Sequence, residues 1–364
     1  MILCSNPLAQ FRSHDTEIIQ AIRDVLESGS YILGPKLGEF EKKLSAYCGA
    51  NFAVGVNSGT DAIVLSLKAL NIGPGDEVIT VAHTAIATIS AIIAVGATPV
   101  LVDIDAEYWT IDSNSIESAI TGKTKAIIAV HIYGQSIDIK EILRITKQHS
   151  LYLIEDCAQS IGTMFDGKMV GSFGDFGCFS FYPTKNLGAI GDGGMVVTND
   201  QLLAERVRRI RQYGWNHHRQ ASEVGINSRL DEIQAAILLT KLKYLDEDNR
   251  KRNAIANQYL TKIKNQKFVL PRVRFNSFHS FHLFPVLCET RDDAIAALGQ
   301  KLINVGVHYY PACHVAAGYK DKIRIGASGL TITEKISERV MSLPMYPELA
   351  TSDVEEIIAA INSY

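Results

Sequence analysis

Phe52-Ala53-Val54-Gly55-Val56-Asn57-Ser58-Gly59-Thr60-Asp61 is the stretch that decides the fold. Five residues suited to a buried strand run into a small polar turn, and from Asp61 the apolar positions through residue 70 recur at helical spacing. Strand, turn and helix N-terminus in that order make an α/β unit. The exposed N–H groups and the helix dipole both favour a phosphate at Ser58-Gly59-Thr60, although most such turns merely cap a helix. The alternation continues downstream. Strands over 77–81, 100–103, 126–130 and 151–154 alternate with a helix ending at residue 95 and helices near 113–120 and 139–148. This pattern predicts an α/β fold with a mostly parallel central sheet flanked by helices. Ligands in such sheets bind beyond the carboxyl ends of the strands. The turn at 58–60 lies at one such end and Glu155-Asp156-Cys157-Ala158-Gln159-Ser160 at another. A carboxylate at that rim is costly to leave unpaired. Asp156 therefore either caps the next helix or keeps a ring nitrogen protonated.

The second informative stretch is Phe179-Ser180-Phe181-Tyr182-Pro183-Thr184-Lys185-Asn186-Leu187-Gly188. Small and aromatic residues alternate over 177–182 as in a strand with two dissimilar faces, and Pro183 stops the ladder. Residues 188–194 carry little side-chain bulk, and an apolar strand resumes at Met195. Lys185 is thus placed on a tight connection between two buried strands. A lysine there, with its pKa depressed, can form a Schiff base with a carbonyl compound.

Composition narrows the class. A chain of 364 residues is long for one domain, and 47% hydrophobic content supports a sizeable core. A formal net charge of −3 argues against a general nucleic-acid or anionic-membrane surface. The cysteines, Cys4, Cys48, Cys157, Cys178, Cys288 and Cys313, have no metal-ligand spacing and read as reduced thiols in a cytoplasmic protein. The N-terminus lacks the pattern of a signal peptide. Residues 78–102 contain no Asp, Glu, Lys or Arg and are long enough to cross a bilayer, but His83, Gly96 and Pro99 break the run into a helix and a strand.

Upstream, residues 15–26 and 37–47 read as helices. Beyond Lys185, residues 201–211 hold Arg206, Arg208, Arg209 and Arg211, followed by His217, His218 and Arg219. Such a cluster is a solvated face by default and a diphosphate site in the alternative. A long helix is expected from about residue 230 past Tyr244, and the charge-dense residues 241–252 read as a solvated link between domains. A strand is expected over Val307-His308-Tyr309. The division expected is a large domain over 1–244, with its N-terminal helical segment, and a smaller α+β domain over 245–364. A dinucleotide site is excluded because no GxGxxG opens a helix after a strand. No metal site is expected, since adjacent His217 and His218 point apart and lack a further ligand at a recognised spacing.

Five segments occur in the order and spacing of one family. They are Ser58-Gly59-Thr60-Asp61-Ala62, Glu155-Asp156-Cys157-Ala158-Gln159-Ser160, Ser180-Phe181-Tyr182-Pro183-Thr184-Lys185-Asn186, Gly225-Ile226-Asn227-Ser228-Arg229 and Leu343-Pro344-Met345-Tyr346-Pro347. The chain resembles the DegT/DnrJ/EryC1/StrS family of pyridoxal-phosphate sugar aminotransferases. That resemblance implies the PLP-dependent transferase fold type I and a homodimer with shared active sites. Lys185 would bind the cofactor aldehyde and then act as the base at the substrate carbon. Asp156 would pair with the pyridinium nitrogen, Gln159 would lie near the phenolic oxygen, and Gly59, Thr60 and Ser180 would bind the phosphate. Asn227 would reach that phosphate from the neighbouring subunit, while Arg229, His314 and Tyr182 fall on the substrate side.

One departure stands out, because many relatives carry a large aromatic where this chain has Ala85, and His83 is the expected substitute for stacking on the ring. Family members that remove a sugar hydroxyl carry His in place of Lys185, so the resemblance implies transamination. The donor would be L-glutamate. Residues 82–88 and Tyr213-Gly214-Trp215-Asn216 look most like members acting on a dTDP-3-oxo-6-deoxyhexose. A dTDP- or UDP-linked 4-oxo-sugar and a non-catalytic regulatory member are the alternatives, and bacterial polysaccharide synthesis is the setting the family suggests.

Overall fold

The protein is described over residues 1–364 by a computed structural model. Its central sheet has eight strands in the spatial order Phe52–Val56, Gly194–Thr198, Phe176–Ser180, Tyr152–Asp156, Thr124–Val130, Glu77–Val81, Thr98–Val102 and Arg324–Ile325. Gly194–Thr198 runs antiparallel to both of its neighbours, and every other pairing is parallel. Seven strands therefore share one direction. Asp156 and Ser180 end two adjacent strands of that set, so their side chains reach the same edge of the sheet.

Strand period sorts the core. Ile79, Val81, Ile127 and Ala129 belong to one apolar cluster, whereas Val78, Ala126 and Ile128 belong to another. Successive side chains point to opposite faces, and both faces are covered by helices, so these strands are apolar throughout. The run at 78–102 resolves into Glu77–Val81, the helix Ile86–Ala94 and Thr98–Val102. No helix is long and apolar enough to cross a membrane.

A separate apolar cluster is built around the three-stranded sheet of Phe268–Val269, Phe284–Cys288 and Val340–Leu343. Its members include Ile2, which bridges to Ile303.

Three local expectations are corrected. Residues 113–120 form two short 3₁₀ turns instead of a helix, because Asp112 accepts from the Asn114 N–H at 3.0 Å and the Ser115 hydroxyl at 2.7 Å, local bonds that compete with a helical ladder. Residues 307–309 join no strand and are held by side chains instead. The helix from residue 232 breaks at Lys243 and Tyr244 into Glu232–Leu242 and Leu245–Lys262.

The charged stretch at 241–252 is also not a solvated link. Lys241, Asp248 and Arg252 are buried. Lys241 Nζ donates to Gln10 Oε1 at 2.6 Å and to the Gly188 carbonyl, and Arg252 Nη1 donates to the Met345 carbonyl at 2.9 Å. Helical spacing of charges describes a solvated face only when no distant carbonyl is brought to it.

Candidate active site

Lys185 sits on the turn between Phe176–Ser180 and Gly194–Thr198. Phe181 donates to the Gly193 carbonyl at 2.8 Å and accepts from Ala189 at 2.8 Å, which closes the turn. At Gly188 an added Cβ would fall 2.5 Å from the Pro183 carbonyl oxygen, so the closure needs a bare backbone there. Burial lowers the Lys185 pKa from 10.5 to about 8, opposed in part by the charge of Asp156. A minor fraction of neutral amine is thus present near physiological pH.

Asp156 accepts from the Thr88 hydroxyl at 2.8 Å and from the Ala158 N–H at 3.1 Å. Thr88 in turn meets the Thr84 hydroxyl at 3.0 Å. Burial still raises the carboxyl pKa, with those two hydrogen bonds and Lys185 opposing it. Such a carboxylate is short of a cationic partner. Next to it Glu155 is satisfied entirely by the fold, taking hydrogen bonds from Gly171, Phe173, Gly174 and His131. His131, Glu155 and Cys157 converge closely. Both His131 nitrogens and both Glu155 oxygens are already engaged, so the group is structural.

The turn at 58–60 opens the helix Gly59–Ala69, with the Ser58 hydroxyl capping the Asp61 N–H at 3.1 Å. The first N–H groups of a helix have no intrahelical acceptor. Gly59 approaches Ser180 so closely that an added Cβ would lie 2.7 Å from the Ser180 Cβ. Two elements distant in sequence thereby form one small, polar cradle beside Lys185 and Asp156.

Gln159 has a fixed amide orientation. Its Oε1 accepts from the Tyr133 N–H at 2.7 Å and its Nε2 donates to the Tyr309 hydroxyl at 2.8 Å. One further Nε2 hydrogen is left for another acceptor. These residues fit pyridoxal phosphate on three counts: a glycine-dependent cradle for the phosphate, an under-neutralised buried carboxylate for a protonated ring nitrogen, and a buried lysine of lowered pKa for the aldehyde.

The remaining expected residues are more dispersed. Tyr182 is 53% exposed and shares a cavity of about 350 Å³ with Lys185. Asn227 is exposed, and Arg229 is half-buried. His314 lies on a short turn at Cys313–Val315, with Nε2 3.3 Å from Glu334. His83 is 1% exposed, edge-on to Tyr133, with Nε2 2.7 Å from the Tyr133 hydroxyl. Its ring offers no open face, whereas Ala85, at the N-cap of Ile86–Ala94, is only half-buried.

Three arginines of the basic cluster are engaged by the fold. Arg206 and Arg209 pair with Glu223 at 3.0 and 3.1 Å, and Arg211 reaches Glu41 and the Gly55 carbonyl, each at 2.7 Å.

Several residues at the site escaped the sequence reading: Thr88, Tyr133, His282, His308 and Tyr309. Thr84 and Thr88 carried a helical i, i+4 signal. Tyr133, His308 and Tyr309 carried none, since an isolated aromatic or His in an apolar run reads as core.

Lysine, carboxylate and phosphate cradle at the carboxyl edge of a mostly parallel sheet define a fold-type-I pyridoxal-phosphate transferase. The model of the DegT/DnrJ/EryC1/StrS aminotransferase family matches residues 12–362. The chain belongs to that family and is an aminotransferase with pyridoxal phosphate as its cofactor. It is 46% identical over 351 residues, 96% of each chain, to the dTDP-3-amino-3,6-dideoxy-alpha-D-galactopyranose transaminase of Aneurinibacillus thermoaerophilus. It is 42% identical over 364 residues, 98% of this chain and 96% of the other, to the UDP-N-acetyl-3-dehydro-alpha-D-glucosamine 3-aminotransferase of Acidithiobacillus ferrooxidans. Among solved structures, S. venezuelae DesV in complex with a ketimine intermediate superposes with a TM-score of 0.97 at 39% identity, covering 100% of this chain and 98% of that one.

Proposed function

We propose that the chain transfers an amino group from L-glutamate to a nucleotide-linked oxo-sugar, with a dTDP-3-oxo-6-deoxyhexose as the acceptor. The observation that carries the reading is the pairing of Lys185, its pKa lowered to about 8, with an under-neutralised Asp156 beside the Gly59–Ser180 cradle. Amination at C3 is supported by the names of the two relatives above, and the more similar of them acts on a dTDP-linked 6-deoxy sugar.

When bound, the cofactor supplies the carbonyl that accepts an amino group and the electron sink that stabilises charge at the substrate carbon. Lys185 holds the aldehyde and then moves the proton at that carbon. Asp156 keeps the ring nitrogen protonated, with Thr88 and the Ala158 N–H fixing its orientation. The free Nε2 hydrogen of Gln159 meets the phenolic oxygen. Gly59, Thr60 and Ser180 hold the phosphate, and Asn227, exposed on its own chain, meets the phosphate of a second copy in a homodimer. Tyr182, Arg229 and His314 face the nucleotide sugar, and the reaction proceeds in the cytoplasm.

The near-visible absorption of purified protein, before and after borohydride, tests the cofactor, with Lys185→Ala as the comparison. Loss of the band in the variant is expected, and absence of any band after adding pyridoxal phosphate would overturn catalysis. A coupled assay with matched 3-oxo and 4-oxo sugars on dTDP and on UDP tests the acceptor. Turnover of only a 4-oxo or only a UDP sugar would overturn that assignment.

A further inference from the structure

The turn that follows Lys185 has few side chains with which to pack. Gly188, Gly191, Gly193 and Gly194 carry none, and Ile190 and Asp192 are exposed. It is held at its backbone instead. Gln10 Nε2 donates to the Asn186 carbonyl at 3.2 Å, and Lys241 Nζ donates to the Gly188 carbonyl. Gln234 donates to the Ile190 carbonyl at 2.7 Å and accepts from the Ile190 N–H at 2.9 Å. Every second carbonyl from residue 186 to 190 is thus taken by a side chain distant in sequence. Gln234 and Lys241 stand two turns apart on one face of the helix Glu232–Leu242, and Lys241 Nζ also donates to Gln10 Oε1 at 2.6 Å. The Asn186 side chain completes the hold, with Nδ2 donating to Asn249 Oδ1 at 2.8 Å and to the Ser280 carbonyl at 3.0 Å.

Lys241 is 7% exposed and makes no ion pair; Glu348 and Asp248 act on it only at longer range. Taking an unpaired ammonium out of water is costly, and a Met or Leu would fill the same space without that cost. An apolar side chain, however, could not donate to Gly188 and Gln10 together. Lysine has a flexible four-carbon stem, so the reach of Lys185 is defined only if its backbone is fixed.

We propose that Lys241, with Gln10, is a positioning residue: by fixing the peptide groups at 186 and 188 it holds the Lys185 backbone where the amine meets first the aldehyde and then the proton at the substrate carbon. The inference deepens the proposed function and rests on it for those two tasks. Lys241 is not part of the wall of the cavity that holds Lys185, and it acts through the turn alone.

The test compares Lys241→Met, Gln10→Ala and, as a control for lost stability on the same helix, Glu232→Ala. In cofactor-free protein, amide hydrogen exchange over residues 182–194 is expected to speed up by at least about tenfold in Lys241→Met, while the central sheet elsewhere keeps wild-type rates. Gln10→Ala should show a smaller increase in the same segment and serves if Lys241→Met fails to fold. In protein loaded with pyridoxal phosphate, the change in the cofactor band on adding saturating L-glutamate should be about 10- to 100-fold slower in Lys241→Met, the loss that follows from displacing a reacting group by about 1 Å. Half-saturation by glutamate should move less than about twofold, as expected when orientation is lost and binding is not. Glu232→Ala should stay within about twofold of wild type in both measurements.

Wild-type exchange over residues 182–194 in the variants would overturn the inference, as would faster exchange with no slowing of the reaction. A rise in exchange spread evenly along the chain, or an equal slowing in Glu232→Ala, marks a structural role and overturns it as well. If the wild type itself does not respond to L-glutamate, the donor assignment falls. The positioning role is then decided by the exchange pattern and by the rate at which added pyridoxal phosphate is captured, expected to drop about tenfold in Lys241→Met and to be unchanged if the proposal is wrong.

Discussion

Lys185 should make the cofactor-free protein less stable than a variant lacking it. Burial lowers its pKa from 10.5 to about 8, and at 1.36 kcal/mol per pH unit that gap corresponds to roughly 3 kcal/mol. Lys185 keeps some contact with solvent at the cavity mouth, so about 2 kcal/mol is the figure to expect. The sign follows from proton binding. Below pH 8 the lysine is protonated in both states and the folded state carries the full cost of the buried charge. Between pH 8 and 10.5 the unfolded chain binds more protons, so stability rises with pH, and the cost is gone above that window.

Lys185→Met removes the cost at every pH. The assay is urea unfolding of cofactor-free wild type and variant at pH 7 and pH 10. Lys241, whose pKa burial also lowers to about 8, is common to both proteins and drops out of the difference. At pH 7 the variant should be more stable by about 2 kcal/mol, and at pH 10 the difference should shrink to under about 1 kcal/mol. Equal midpoints at pH 7, or a difference that does not change with pH, would refute the reasoning. Adding pyridoxal phosphate should reverse the order, because only the wild type can bond its aldehyde and gain stability by mass action.

Asp156→Ala should weaken pyridoxal phosphate binding by about 10- to 100-fold, the worth of a charge-assisted hydrogen bond of about 1.5–3 kcal/mol, read by fluorescence titration. Gly59→Ala should place its Cβ against Ser180 and lower pyridoxal phosphate affinity by at least about tenfold, at a strain of about 1–3 kcal/mol, while affinity for unphosphorylated pyridoxal changes little. Glu232→Ala should cost about 2–4 kcal/mol in urea unfolding, because the buried carboxylate accepts from the Gly34, Lys36 and Leu37 N–H groups at 2.8–2.9 Å and caps the helix Pro35–Cys48. His83→Phe should leave the cofactor absorption band in place and destabilise the fold, since its Nε2 meets the Tyr133 hydroxyl; loss of the band with stability intact would return His83 to the ring face.

The alternation of strands and helices was legible in the sequence because period, turn chemistry and helix caps are local properties. The same holds for the positions of Gly59, Asp156, Ser180 and Lys185, each of which stands at or just beyond the end of a strand that a turn closes. Tertiary structure alone decided which charges are buried and what they hold. Lys241 meets Gln10 across 231 positions, and Arg252 meets Met345 across 93. Arg206, Arg209 and Arg211 looked available in sequence and are spent on Glu223 and Glu41. Tyr309 reaches Gln159 across 150 positions, and His308 reaches Ser342 through a segment with no regular structure. Partners chosen by proximity in space leave no periodicity along the chain, so the sequence determined where Lys185 stands and the fold decided what surrounds it.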